Sequence, residues 1–376
     1  MIAPFGFSAP ARILFGRGQA EAAPALIKTL GTSVLLVHGA SPRHGAPLTA
    51  ALRDLGCVVT CHSCASEPDL AMLETAIAAA GQPDVVVAIG GGAVLDMGKA
   101  LAALIPAPGP VMRYLEVVGE GRRLEVAPLP FVAMATTSGT GAEVTKNAVI
   151  GVPEAGRKVS LRDNRMLADL AITDPELTDG CPKSVTLASG LDAVTQVIEP
   201  YISSKANPMT DALCRTAIPT GLSALRRLMQ GEDRTARDQM SYVSLCGGLA
   251  LANSGLGAVH GLAGVIGGQC GAAHGAVCGV LLPHVLAANA QADPDNGRIK
   301  EVRGWIATAF DVAPEQALDA LAAFSAQNGL PKLSQMGLAT ADHQTVAEAA
   351  GASSSMRGNP VPLSVAQLIN VLVQAG

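Results

Sequence analysis

Between Gln239 and Ala292 the chain carries no Asp, Glu, Lys or Arg, and its ionisable side chains of note are His260, His274 and His284. Such a segment belongs in a membrane or in a dry protein interior. A membrane helix needs about 20 continuous apolar residues. Here Gly247, Gly248, Asn253, Ser254, Gly255, Gly257, Gly261, Gly264, Gly267 and Gly268 interrupt the run. The expectation is a set of tightly packed central helices with no membrane partner, whose histidines face something that tolerates no other charge.

With 376 residues the chain exceeds the roughly 250 to 300 at which single cores stop growing, so two domains are expected. The first half alternates short β-branched runs with Ala/Leu-rich stretches, the pattern of an α/β domain with a parallel sheet. "SVLLVHG" (33–39) and "DVVVAIGGG" (84–92) are the clearest buried strands, and 130–137, 147–152 and 170–175 read as further ones. From Pro182 onward no strand-like run recurs and helices broken by Gly and Pro take over. The division is therefore an α/β domain over residues 1–179 and an all-α domain over 180–376.

A net charge of −5 argues against a nucleic-acid partner, which would want a basic face. The N-terminal "MIAPFGFSAPARILFG" lacks the basic run and apolar core of a signal peptide, so a cytoplasmic protein is expected. Eight cysteines in a chain of this size do not make a disulfide scaffold. The Cys61-x-x-Cys64 pair encloses His62 but has no second ligand pair, and "CVVTCHSC" reads as a strand running into a loop.

Three segments carry chemistry. "AIGGGAVLDMGKA" (88–100) sets three glycines between a strand and a helix, where backbone can approach a phosphate and the helix N-terminus attracts it. It is not the G-x-G-x-x-G fingerprint, and a plain tight turn is the alternative. "ATTSGTGAEVTKNAV" (135–149) follows a second strand and offers the hydroxyls of Thr136, Thr137, Ser138 and Thr140. Two such loops at the carboxyl edge of one sheet favour a dinucleotide. Third, Asp192 and Gln196 lie one helical turn apart, and with His260 and His274 they compose a carboxylate-imidazole set suited to Fe²⁺ or Zn²⁺. By chemistry alone Asp192 could equally be a helix cap and each histidine a satisfied core residue.

Together "GGGAVLDMGKA", "TTSGTGAEVT", "KVSLRDNRMLADLAITDPEL", "SGLDAVTQVIEPYIS", "VHGLAGVIGG" with "AAHGAVCGVLLPHVL", and "GNP" at 358–360 resemble the iron-containing (group III) alcohol dehydrogenase family of the dehydroquinate synthase-like superfamily. The resemblance implies a Rossmann-like N-terminal domain, an all-α C-terminal domain and an active site in the cleft between them. It places Gly91, Gly92 and Ala93 at the pyrophosphate of NAD or NADP, counts Asp96 with this cradle, sets Thr136, Thr137 and Thr140 along the cofactor, and puts Lys158 near its ribose. Asp192, Gln196, His260 and His274 take the metal positions, and Asp192, His260 and His274 the catalytic ones. The implied reaction exchanges hydride between the nicotinamide and a small alcohol or aldehyde, in a homodimer.

The chain departs from that family's pattern at three places. Gln196 stands where the family has a histidine ligand, and Gly264 where it has a second histidine four residues after the first metal histidine. The strand "VLLVHGAS" ends in His38 and Gly39 rather than an Asp for the ribose, so NADP stays open, with Arg43 near enough in sequence to meet a 2′-phosphate. Relatives that manage with three protein ligands make Asp192, His260 and His274 sufficient for a metal. The alternatives are a reductase of a specialised oxo-substrate, maleylacetate reductase-like, with little or no metal, and a cofactor-binding protein that has lost catalysis. Retention of Asp192 counts against the first, because maleylacetate reductases typically lack it.

Overall fold

The computed structural model describes residues 2–376. The chain divides into two compact units. One contains Ser8–Thr137 and Gly141–Asp179; the other contains Gly180–Gly376, the segment ending at Phe7 and the short stretch Ser138–Thr140.

The α/β unit holds eight strands: β1 (Ile13–Phe15), β2 (Ser33–His38), β3 (Val58–Ser63), β4 (Val85–Gly90), β5 (Phe131–Ala135), β6 (Asn147–Val152), β7 (Arg157–Arg162) and β8 (Leu170–Thr173). Its helices are α1 (Ala23–Lys28), α2 (Gly45–Asp54), α3 (Leu70–Ala79) and α4 (Gly92–Leu104). Six strands form a parallel sheet in the order β1-β8-β5-β4-β2-β3. Strand β4 is buried along its whole length, as expected of a central parallel strand with both faces covered. From β2 the chain winds outward to β3, and from β4 it winds the opposite way through β5 to β8. The order therefore reverses between β2 and β4, and in such sheets ligands bind outside the carboxyl ends of the strands at that point.

Residues 147–152 are a strand, but not of this sheet. β6 pairs antiparallel with β7 in a separate ribbon. Its side chains alternate between buried and half-buried, which marks a one-sided antiparallel strand rather than a buried parallel one. The C-x-x-C segment is β3 and the residue after it; Cys61 is exposed, Cys64 is buried, and every cysteine in the chain is free.

Among the described residues nine α-helices build the other unit: α5 (Lys183–Ile202), α6 (Pro208–Gln230), α7 (Arg234–Ser254), α8 (Ala258–Cys270), α9 (His274–Ala292), α10 (Gly297–Phe310), α11 (Ala317–Gln327), α12 (His343–Gly351) and α13 (Val365–Ala375). From Gly190 to Ile202 every residue of α5 is buried, so this stretch of the helix has no solvent face. α6, α7 and α9 pack around it. The charge-free segment forms most of α7, all of α8 and all of α9, and its apolar side chains enter a large core of that unit. By length and composition α9 could cross a membrane; here it is core.

One buried cation organises the loops beyond the sheet. Lys99 on α4 is 1% exposed, and its Nζ donates to Ala142 O, Thr145 Oγ1 and Asn147 O, each at 2.8 Å. Burial pulls its ammonium down to about 8 against the opposing pull of Asp96 and Glu143. Lys99→Met should lower stability by about 3 kcal/mol, since it strands buried carbonyl oxygens. The urea midpoint reads this, and an unshifted midpoint would show that water replaces the ammonium.

Candidate metal and cofactor sites

The central helix α5 carries four polar side chains along its buried stretch: Asp192, Thr195, Gln196 and Glu199. Each must find partners inside the unit. Thr195 Oγ1 donates to Leu191 O at 2.7 Å, and Gln196 Nε2 donates to Gly139 O at 3.0 Å. Glu199 accepts from the Val259 backbone N–H at 2.7 Å through Oε1 and faces His260 Nδ1 at 2.6 Å through Oε2. Asp192 differs: its Oδ1 is buried and has no hydrogen-bond partner.

Facing that oxygen is His260 Nε2, 3.3 Å away, also buried and also without a hydrogen-bond partner. His274 Nε2 lies 3.9 Å from the same oxygen, and Cys278 Sγ lies 3.6 Å from His274 Nε2. Ligand atoms of Asp192, His260, His274 and Cys278 all fall within 4.8 Å of one another. Among the described residues this is the one group of three or more His, Cys, Asp or Glu side chains so arranged. Burial would push His260 down, but Cys278, Asp192 and Glu199 outweigh it and hold its imidazole well above the ordinary range. The Cys278 sulfur, then Asp192, raises His274 to about 9 against burial. Burial works to raise Asp192, yet the two histidines leave it below the usual carboxylate range. The cluster thus demands positive charge, and its donors are those a divalent cation prefers.

Local sequence explains how the parts meet. His260 is on the first turn of α8, which follows a 99° bend after α7. A Cβ on Gly257 would come within 2.8 Å of Glu199 Oε1 and 2.9 Å of Asn359 Oδ1. Glycine here lets the positive end of α8 close onto the carboxylate. Asn359, of the "GNP" motif, accepts from Ala258 N at 3.1 Å and exchanges bonds with Asn289 on α9. On α9, a Cβ at Gly275 would lie 2.5 Å from Ala188 O and 3.3 Å from Asp192 Cβ. That glycine sets how closely His274 approaches Asp192.

Of the sequence-derived metal positions, Asp192, His260 and His274 converge; Gln196 is buried beside Gly247, with its amide nitrogen committed to Gly139. Glu199 and Cys278 were missed. Each sits on the same helix as an expected residue, Glu199 seven residues after Asp192 and Cys278 four after His274, at the spacing that shares a face.

In the α/β unit, Gly91 is the N-cap of α4 and supplies no side-chain cap to its first turn, which Gly92 and Ala93 begin. Thr137 approaches so closely that a Cβ on Gly91 would meet its Oγ1 at 3.4 Å. This uncapped helix start lies at the carboxyl end of β4, where the strand order reverses, and it fits the pyrophosphate of a dinucleotide. Thr136 donates its N–H to Gly90 O at 2.9 Å, and Thr140 falls in the stretch grouped with the helical unit. Asp96, one turn into α4, accepts from Val149 N at 3.1 Å, and Lys158 pairs with Glu67. At the end of β2, His38 Nδ1 lies 2.7 Å from Gly39 O, and the exposed Arg43 donates to Asp179 O at 3.1 Å.

Comparison with known proteins decides the ancestry: residues 10–175 match the iron-containing alcohol dehydrogenase family, and residues 186–376 match the Fe-containing alcohol dehydrogenase family, C-terminal. The chain belongs to the iron-containing alcohol dehydrogenases. "Alcohol dehydrogenase 4" of Saccharomyces cerevisiae is 35% identical over 297 residues, 78% of this chain and 76% of the relative. A "1,3-propanediol dehydrogenase" of Klebsiella pneumoniae is 36% identical over 285 residues, 74% and 72% of the two chains. A crystal structure of a 1,3-propanediol oxidoreductase superposes with a TM-score of 0.90 at 30% identity, covering 100% of both chains. Membership in this family implies NAD(H) and a divalent metal, and the cradle and the cluster fit both.

Replacing Gly275 by Ala tests the packing that assembles the cluster. The added methyl collides with backbone rather than a movable side chain, so a loss of about 2 kcal/mol is expected in urea unfolding. Unchanged stability would mean that α5 and α9 separate freely.

Proposed function

We propose that the protein oxidises small primary or secondary alcohols to aldehydes or ketones, reversibly, with NAD or NADP as hydride partner and with a divalent cation, Fe²⁺ or Zn²⁺, held by Asp192, His260 and His274. The observation that carries this reading is the buried pair Asp192 Oδ1 and His260 Nε2, 3.3 Å apart and each without a hydrogen bond, pointing into one cluster with His274. Natural proteins satisfy buried polar atoms, so such orphans indicate a missing partner.

When bound, the cation supplies Lewis acidity toward a substrate oxygen. Asp192 contributes the negative charge that retains it. Glu199 fixes the His260 ring by accepting a hydrogen bond from Nδ1–H, which leaves the Nε2 lone pair facing the cluster. The absence of other charged side chains from α8 and α9 keeps the surroundings dry, where electrostatic attraction is strongest. Gly264 has no side chain and nothing within 4 Å of a Cβ built there; it carries no proton. The start of α4 holds the pyrophosphate through the backbone N–H groups of Gly92 and Ala93, and the nicotinamide brings the hydride chemistry. β2 ends without a carboxylate to reject a 2′-phosphate, which supports use of NADP beside NAD.

Asp192→Ala should lower kcat by about 100-fold or more, equivalent to ~3 kcal/mol of lost charge stabilisation. The metal-free variant should still fold, because His260 and His274, losing the carboxylate that raises them, are carried by burial toward the neutral form. Metal analysis, an alcohol and aldehyde panel and melting curves on one preparation check both statements. Full turnover in metal-free protein, or an Asp192→Ala variant that melts early and still turns over, would contradict the reading. For the cofactor, titration should find NAD and NADP binding within about tenfold of each other, ~1.4 kcal/mol, and rejection of NADP would restrict the assignment to NAD.

A further inference from the structure

We propose that Cys278 is a fourth protein ligand of this metal site, its thiolate standing in for the imidazole that Gln196 lacks. The inference rests on the metal reading above and goes beyond it. Cys278 follows His274 by one turn of α9, is buried, and brings Sγ to 3.6 Å from His274 Nε2. In a tetrahedral site with zinc-nitrogen and zinc-oxygen bonds of about 2.0 Å and a zinc-sulfur bond of about 2.3 Å, neighbouring ligand atoms are roughly 3.3 to 3.5 Å apart. The separations here, 3.3 Å for Asp192 to His260 and 3.6 Å for His274 to Cys278, match those edges, 3.9 Å for Asp192 to His274 exceeds its edge by about 0.6 Å, and all four donor atoms lie within 4.8 Å of one another.

One further observation points to the sulfur. Gln196 donates its amide nitrogen to Gly139 O, while Cys278 lies inside the cluster itself. The buried orphans Asp192 Oδ1 and His260 Nε2 open onto the same small volume as Cys278 Sγ. Binding releases the thiol proton and forms the metal-sulfur bond without change of oxidation state. A thiolate also softens the donor set, which favours Zn²⁺ and Co²⁺ over hard cations such as Mg²⁺.

The test loads full-length metal-depleted wild type, Cys278→Ser and Asp192→Ala with Co²⁺ and then titrates Zn²⁺ in competition with a chromophoric chelator. Wild type should show an intense near-ultraviolet sulfur-to-cobalt charge-transfer band and a tetrahedral or five-coordinate visible spectrum. Cys278→Ser should lose that band while its circular dichroism stays native, and should bind Zn²⁺ at least about tenfold more weakly. A wild-type protein that binds one Co²⁺, loses it in Asp192→Ala, and shows no sulfur band overturns the cysteine ligand and leaves the metal reading standing. If Cys278→Ser retains both the band and the Zn²⁺ affinity of wild type, the proposal also fails. Wild type that binds no Co²⁺ or Zn²⁺ at all overturns both.

Discussion

A carboxylate on a stretch of helix with no solvent face is the constraint on which the helical unit depends. Asp192 lies inside α5, 2% exposed, with one oxygen that makes no hydrogen bond. In an apolar interior that oxygen costs more than any neighbouring hydrogen bond returns, unless positive charge comes to it. The polar neighbours on α5 show that the fold can satisfy such groups when nothing else is at stake. Thr195, Gln196 and Glu199 all have partners. The exception is therefore informative, and two imidazoles with raised proton affinity face it.

The charge-free sequence from Gln239 to Ala292 follows from the same constraint. Any Lys or Arg within reach would neutralise Asp192 in place of a cation, and any further carboxylate would change the ligand set. Helices that approach α5 closely need small residues at the contacts, which is why the segment is rich in glycine as well as poor in charge. Glu199 joins the two requirements: it caps the start of α8 and, through the same carboxylate, fixes the ring of His260. Asn359 braces that junction from the far end of the chain.

Much of this was legible in the sequence because it is periodic or local. The buried run "VVVAIG" declares a central parallel strand, the glycines after it declare a close helix start, and the loss of strand-like runs after Pro182 declares the helical unit. Asp192, His260 and His274 could be named but not joined, since nothing in their separation along the chain shows that α5, α8 and α9 meet at one point. Glu199 and Cys278 escaped for a different reason. A glutamate in a helix usually reads as a solvent-facing residue and a lone cysteine as a small apolar one; only the bend between α7 and α8 and the close contact at Gly275 give them their roles. The separate β6–β7 ribbon was concealed because "NAVIGV" hides its alternation behind uniformly small or apolar side chains.

The central claim is that the cluster around Asp192 is a cation site. Crystals of the protein grown with Zn²⁺ or Fe²⁺, with anomalous data collected on both sides of the metal's absorption edge, test it most directly. The account predicts one anomalous peak per chain, about 2.0 to 2.2 Å from Asp192 Oδ1, His260 Nε2 and His274 Nε2. A protein that oxidises alcohols yet shows no peak there, or places its metal elsewhere, would contradict it.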